Sequence, residues 1–195
     1  MTLTTKEIAY TRDQAAYAHN EIFGNEKDYE NLFTHVNNDA VFHLLSHSEK
    51  LVLAYLRFDP PHGQFVIALY NKENNIKQRY YVSKVLGYWF LIGINGFANL
   101  KITVDPLYIL DSQNKSAYPD LNVNQKKQIE LFANYFLIPP TDFGDYYYDF
   151  KDAYNQADQT KINQLIAKAA DDFKVDSSAI QYRLDRLFSP DIVKQ

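Results

Sequence analysis

The sequence predicts an α+β fold: a helix-rich core, a small three-stranded sheet and a C-terminal helical extension. Three observations carry that expectation. Two runs rich in β-formers, 51–58 and 64–70, flank Asp59-Pro-Pro-His-Gly63, which is a turn by composition. Apolar residues recur at helical spacing in later segments, at 77–92, 123–138 and 160–173. No internal repeat, linker or low-complexity tract divides the 195 residues, so a single domain over 1–195 is expected.

In chain order, 6–35 reads as helical, because Ile8, Ala15, Ala16, Ile22, Tyr29, Leu32 and Phe33 recur at roughly helical intervals. Gly24-Asn25 is expected to separate two helices there, and Asn37-Asn38-Asp39 breaks the pattern. These N-terminal helices occupy 1–39. Between 40 and 70 the runs Leu51 to Phe58 and Gln64 to Tyr70 are expected to pair as a hairpin, with Val41 to Leu45 as a third strand. A polar connection, Asn71 to Asn75, leads to a central helix over 77–92. Tyr81, Val82, Val85, Leu86, Trp89 and Phe90 form its buried stripe. The stretch 94–121 reads as irregular, with a candidate strand at Leu100 to Val104. A second apolar helix over 123–138 is capped by Asn122 or Asn124 and stopped by Pro139-Pro140. The part from 141 to 195 begins with an acidic, tyrosine-rich segment, Asp142 to Asp158. An amphipathic helix over 160–173 and a last helix, Ser177 to Phe188 with Asp176 as cap, follow it.

Composition narrows the function classes. Hydrophobic residues make up 46% and charged residues 23%, the profile of a soluble globular protein. The net charge of −4, with both signs scattered along the chain, argues against nucleic acid as the main partner. The absence of cysteine excludes disulfides and cysteine-based metal sites. The first residues lack the pattern of a signal peptide, and the most apolar run, Val82 to Ile94, is too short to span a bilayer. A cytoplasmic location and no membrane association are the resulting expectations.

The central helix carries a family resemblance. Arg79-Tyr-Tyr-Val-Ser-Lys84-Val85-Leu86-Gly87-Tyr88-Trp89-Phe90-Leu91 resembles the stretch R-F-T-L-A-H-E-L-G-H-Y-L-L of the ImmA/IrrE metallopeptidases. Three further pieces match in order. Val66 to Asn71 resembles the strand before that family's zinc helix. Phe132-Ala133-Asn-Tyr-Phe136-Leu137-Ile138-Pro139 resembles its F-A-A-x-L-L-M-P signature. Phe173 to Leu187 is similar to its closing F-x-V-S-x-x-A-x-x-x-R-L-x-x-L. The likeness covers about 50–188 and implies a zincin-like core, with 40–140 as a degenerate peptidase part.

The resemblance also implies what is missing. Two His four residues apart on one helix face hold a zinc ion, and the Glu after the first activates its water. Here Lys84 stands at the first His, Val85 at the catalytic Glu and Tyr88 at the second His. A gapless alignment puts Lys126 at the third ligand, a Glu in the family; a one-turn shift puts Glu130 there instead. A protonated Lys offers no lone pair to a metal, and Val has no acid–base function. All five histidines, His19, His35, His43, His47 and His62, precede the central helix, so no change of register places one on it. No catalytic residue, metal or cofactor is therefore expected.

Lys84, Tyr88 and Lys126 have two readings. They fill the former cleft, with Lys84 pairing to an acid such as Glu130, or they form a binding patch; the filled cleft is favoured. Gly87, inside a helix, is explained by close packing of a neighbouring element. Tyr146, Tyr147 and Tyr148 form the best partner surface, because tyrosines give contact area at low entropic cost; half-buried packing is the equal alternative. The resemblance thus implies an inactive family member acting by protein binding, a regulator of a helix-turn-helix repressor in a mobile element or stress response. Two alternatives stand beside it. One is a divergent metal-dependent peptidase with a relocated site at His43, His47 and a carboxylate. The other is a DNA-binding regulator using the C-terminal helices, against which Asp176 and Asp185 nearly balance Arg183 and Arg186.

Overall fold

A computed structural model describes residues 2–24, 27–48, 52–92, 100–103 and 121–188. The fold is α+β. Helix α1 (Thr5–Phe23) opens on a capping box: the Thr4 hydroxyl accepts from the Glu7 amide at 3.2 Å, and the Glu7 carboxylate accepts from the Thr4 amide at 2.7 Å. It closes at Gly24, whose φ of 62° suits a residue without Cβ. A 3-10 turn (Tyr29–Asn31) and helix α2 (Leu32–Asn38) follow, so the expected break after Phe23 is present.

The sheet holds β1 (Phe42–His47), β2 (Val52–Asp59), β3 (Gln64–Tyr70) and β4 (Leu100–Thr103) in the order β1-β3-β2-β4. The expected hairpin is β2 and β3, antiparallel, with Phe58 opposite Phe65. Its turn closes through the Gly63 amide, which donates to the Asp59 carbonyl at 2.9 Å, and Gly63 takes a φ of 66°. The third expected strand, β1, runs parallel to β3 on its other side, pairing Phe42 with Phe65 and His47 with Tyr70. The candidate strand at Leu100 to Val104 is β4, which adds a fourth strand outside β2. The remaining irregular stretch of 94–120 lies outside the described residues, as do Asn25 and Leu51. Central β3 has five consecutive buried residues, Phe65 to Leu69, the continuous apolar run of a strand covered on both faces.

Helix α3 (Asn75–Leu91) is capped by Asn74, whose side-chain oxygen accepts from the Lys77 amide at 2.9 Å. It packs against the sheet on one side and against α1 and α4 (Val123–Leu137) on the others. Its buried surface is therefore wider than the expected stripe. Arg79, Ser83, Gly87 and Tyr88 are buried along with Val82, Val85, Leu86 and Phe90, whereas Tyr81 and Trp89 are only half-buried. Trp89 meets the sheet, with its ring 4.2 Å from Phe65 and 5.9 Å from Phe42. Arg79 ties α3 to distant backbone: Nε donates to the Lys174 carbonyl at 3.0 Å and Nη1 to the Glu30 carbonyl at 3.3 Å.

Of the two expected caps for α4, Asn122 is the one used. Its side chain accepts from the Gln125 amide at 2.9 Å, and the Gln125 side chain accepts from the Asn122 amide at 2.9 Å. Pro139-Pro140 ends α4 as expected and also begins α5 (Pro140–Asn155), with Pro140 at the first helical position. The acidic, tyrosine-rich segment is thus largely one helix. It buries Phe143, Phe150 and Ala153 and leaves Asp145, Asp149 and Asp152 exposed, with Asp142 half-buried at its start. Helices α6 (Gln159–Phe173) and α7 (Ser177–Phe188) match the expected spans; Asp176 accepts from the Ser178 amide at 2.8 Å at the start of α7. Among the described residues, no helix is long and apolar enough to cross a membrane.

Candidate functional site

The contact between α3 and α4 brings two residues one turn apart on α3 to one carboxylate on α4. On α3, Tyr80 and Lys84 share a face. On α4, Glu130 meets them. One Glu130 oxygen pairs with the Lys84 ammonium, and the other accepts a hydrogen bond from the Tyr80 hydroxyl. The ammonium also sits 4.6 Å from the centroid of the Tyr80 ring, a cation–π contact. The Lys84 side chain is only 12% exposed, against 37% for Glu130, so the cluster closes inward and is solvated from the carboxylate side.

The electrostatics follow from that arrangement. Burial pushes the Tyr80 phenol well above its ordinary pKa, and the neighbouring Glu130 charge adds to it, so Tyr80 is a fixed donor. Tyr182 on α7 borders the same carboxylate; burial raises its pKa, against the opposing pull of Arg186. Lys84 and Glu130 carry opposite formal charges, and the protonated Lys84 ammonium, which stands against the carboxylate, offers no lone pair to a metal.

The structure places the other sequence-predicted residues as follows. Val85 and Tyr88 are fully buried on α3. The Tyr88 hydroxyl has no hydrogen-bond partner among the described residues, and burial pushes its pKa up to about 12. Lys126 lies one turn before Glu130 on α4 and is half-buried. Of the two registers considered for the third-ligand position, Glu130 is the residue that meets Lys84. Gly87 faces the Phe132 side chain so closely that an added Cβ would lie 2.8 Å from its Cδ1, which bears out the packing reason expected for that glycine.

Tyr146, Tyr147 and Tyr148 divide between the two readings given to them. The Tyr146 hydroxyl donates to Asp172 on α6, and the Tyr147 ring stacks on Phe188 of α7 at 5.6 Å; both are half-buried. Tyr148 is 72% exposed. His43 and His47 share one face of β1, and four residue steps along the strand set their Cα atoms about 13 Å apart, too far for one ion. Among the described residues, no three His, Asp or Glu side chains gather in a geometry that could hold a metal.

Sequence reasoning missed three participants. Tyr80 was legible as the residue one turn before Lys84. His19, 7% exposed, continues the Ala15, Ala18, Ile22 face of α1, and its Nδ1 lies 2.9 Å from the Phe136 carbonyl. Asp142, which accepts from the Tyr29 hydroxyl and pairs with Lys27 at 3.3 Å, left no local signal, because its partners are more than a hundred residues away. In comparison with known proteins, no protein-family model matches the chain, and no curated protein matches it.

Proposed function

We propose that the chain is a catalytically inactive ImmA/IrrE-like protein with a zincin-like core, acting by binding another protein. The supporting observation is the cluster of Lys84, Glu130 and Tyr80 at the α3–α4 contact. On the resemblance of 79–91 to the family's zinc helix, this is where an active relative holds its metal. An ammonium group in ion pairing with the third-ligand carboxylate supplies the positive charge that zinc would supply, without a Lewis acid or an activatable water. The partner implied by the resemblance is a helix-turn-helix repressor of a mobile element or stress response, sequestered rather than cut.

The two alternative readings gain less from the geometry. A relocated metal site at His43 and His47 meets the separation imposed by β1. DNA contact through α7 meets the engagement of its arginines. Arg183 is 5% exposed and stacked 3.9 Å from the Tyr135 ring centroid, and Arg186 lies 4.9 Å from that of Tyr182.

The test is purification of the tagged chain from its native host, with zinc measured by elemental analysis and bound proteins identified. The expected result is no stoichiometric zinc and an intact repressor bound at a fixed ratio. Stoichiometric zinc, together with a chelator-sensitive cleavage of that repressor, overturns the proposal.

A further inference from the structure

A second constellation lies away from the α3–α4 cluster, between the end of α1 and the start of α5. It borders a cavity of about 380 Å³ whose polar lining is His19, Asn20, Lys27, Thr141 and Asp142. That volume falls within the roughly 300–1,000 Å³ of small-ligand pockets.

His19 is more than nine-tenths buried, and its chemistry at this wall is fixed by its other nitrogen. Nδ1 lies 2.9 Å from the Phe136 carbonyl oxygen, which can only accept, so Nδ1 carries the proton. Nε2 then bears a lone pair and can act only as an acceptor. Burial lowers the His19 pKa, opposed by the Phe136 bond and Asp142, so the ring is neutral at pH 7. His19 therefore brings to the cavity lining a neutral ring whose second nitrogen can only accept.

Asp142 supplies the charge. Burial works against its ionisation, but the Tyr29 hydroxyl, the Lys27 ammonium and the Thr141 hydroxyl together hold its pKa below the ordinary carboxylate value. Lys27 is shared, 3.3 Å from Asp142 and 3.4 Å from Asp145, and its side chain is 61% exposed. An adjoining cavity of about 280 Å³ shares Lys27 and Asp142. Its lining sets four carboxylates, Asp142, Asp145, Asp149 and Asp172, against two ammonium groups, Lys27 and Lys168. The partial positive charge of the α5 N-terminus is met by Asp142 in that helix's own first turn.

We propose that this cavity binds a guanidinium group, the side-chain head of an arginine carried on a peptide. A guanidinium offers planar, charge-assisted donors, one edge for the Asp142 carboxylate and one N–H for His19 Nε2. An anion would face the lone pair of His19 and the carboxylates of Asp142 and Asp145. The exposed Lys27 ammonium is an internal competitor for the same carboxylate. The cavity shares no residue with the α3–α4 cluster.

The experiment titrates the full chain with N-acetyl-arginine methylamide and follows the His19 ring nitrogens by NMR. Saturable binding that shifts Nε2 is expected, with the neutral citrulline analogue at least about 10-fold weaker, the loss of a charge-assisted hydrogen bond. Asp142→Asn is expected to weaken binding by about 10-fold or more, and Lys27→Ala to tighten it several-fold by removing the competitor. A merely structural role for Lys27 would not give tighter binding. If Asp142→Asn does not fold, the citrulline comparison and Lys27→Ala decide. Agmatine, which lacks a peptide, separates the sources: binding tighter than the peptide-like probe assigns the site to a small free guanidine instead and overturns the peptide assignment. Equal binding of citrulline, preference for N-acetyl-glutamate, weaker binding by Lys27→Ala, or no shift at His19 overturns the site itself.

Discussion

Replacing Gly87 by alanine sets two effects of opposite sign against each other. In a helix interior, alanine is favoured over glycine by about 1 kcal/mol. At this position, however, the new Cβ would lie 2.8 Å from Phe132 Cδ1, 3.0 Å from Cγ and 3.2 Å from Cβ, where 3.4–4 Å is ordinary contact. Phe132 has no room to withdraw: it is fully buried and stacked between Phe90 at 6.1 Å and Phe136 at 5.9 Å. Overpacking of this kind costs about 1–3 kcal/mol, and the rigid ring places Gly87→Ala near the top of that range. The net expectation is a destabilisation of about 2 kcal/mol, or a fall in Tm of about 4–8 °C for a chain of this size. Urea unfolding followed by circular dichroism measures it. Combined with Phe132→Leu, the alanine should cost less than the sum of the two singles, with a coupling of about 1–2 kcal/mol. If Gly87→Ala instead stabilises the fold by its full helical preference, α3 and α4 do not approach closely enough for Phe132 to exclude a Cβ at position 87.

Glu130→Gln leaves the largely buried Lys84 without its counter-charge and is expected to cost about 1–2 kcal/mol, discounted because Glu130 is partly solvated. Lys84→Met in the same background should recover most of that loss in the same urea assay. Arg79→Met removes both backbone hydrogen bonds of a buried guanidinium and is expected to cost about 2–4 kcal/mol by chemical denaturation. His19 has a folded pKa below its unfolded value, so the unfolded chain binds more protons at low pH. Its contribution is present above pH ~6.5 and is lost as pH falls through the folded value. Unfolding free energies measured from pH 7.5 to 5 should therefore decline, and less steeply in His19→Gln.

The elements were largely legible in the sequence because their signals are local. Asn122 caps α4, Gly24 and Gly63 mark a helix end and a turn, and Pro139-Pro140 stops α4, each within a few residues of what it controls, whereas the helix that Pro140 begins was not anticipated. The pairing of Lys84 with an acid was also readable once α3 and α4 were set side by side. What could not be read was anything decided by distant chain. That β1 joins β3 in parallel rather than extending the hairpin beyond β2 depends on which sheet edge α2 delivers it to. The Arg79 side chain looks like one more surface cation until Glu30 and Lys174 bring carbonyls to it. The Asp142 to Tyr29 bond joins residues 113 apart, and no periodicity records such a contact.

The proposed loss of metal can be tested by attempting its return. On the proposed likeness, Lys84 and the residue one turn later, Tyr88, stand where an active relative would carry its two histidines, and Glu130 already faces Lys84. On the proposed reading, Lys84→His with Tyr88→His restores two imidazoles at i and i+4 and supplies Glu130 as third ligand. The same substitutions remove the ammonium that neutralises Glu130, so the apo double variant is expected to be less stable than the parent and to regain stability on adding zinc. Isothermal titration should give one zinc per chain, with a Tm that rises with zinc for the variant and stays unchanged for the parent. No hydrolysis is expected, because Val85 still occupies the general-base position. If the variant folds but gains no zinc affinity, the helix face at 84 and 88 is not a vacated metal site, and the likeness of 79–91 to a zinc helix is one of pattern alone.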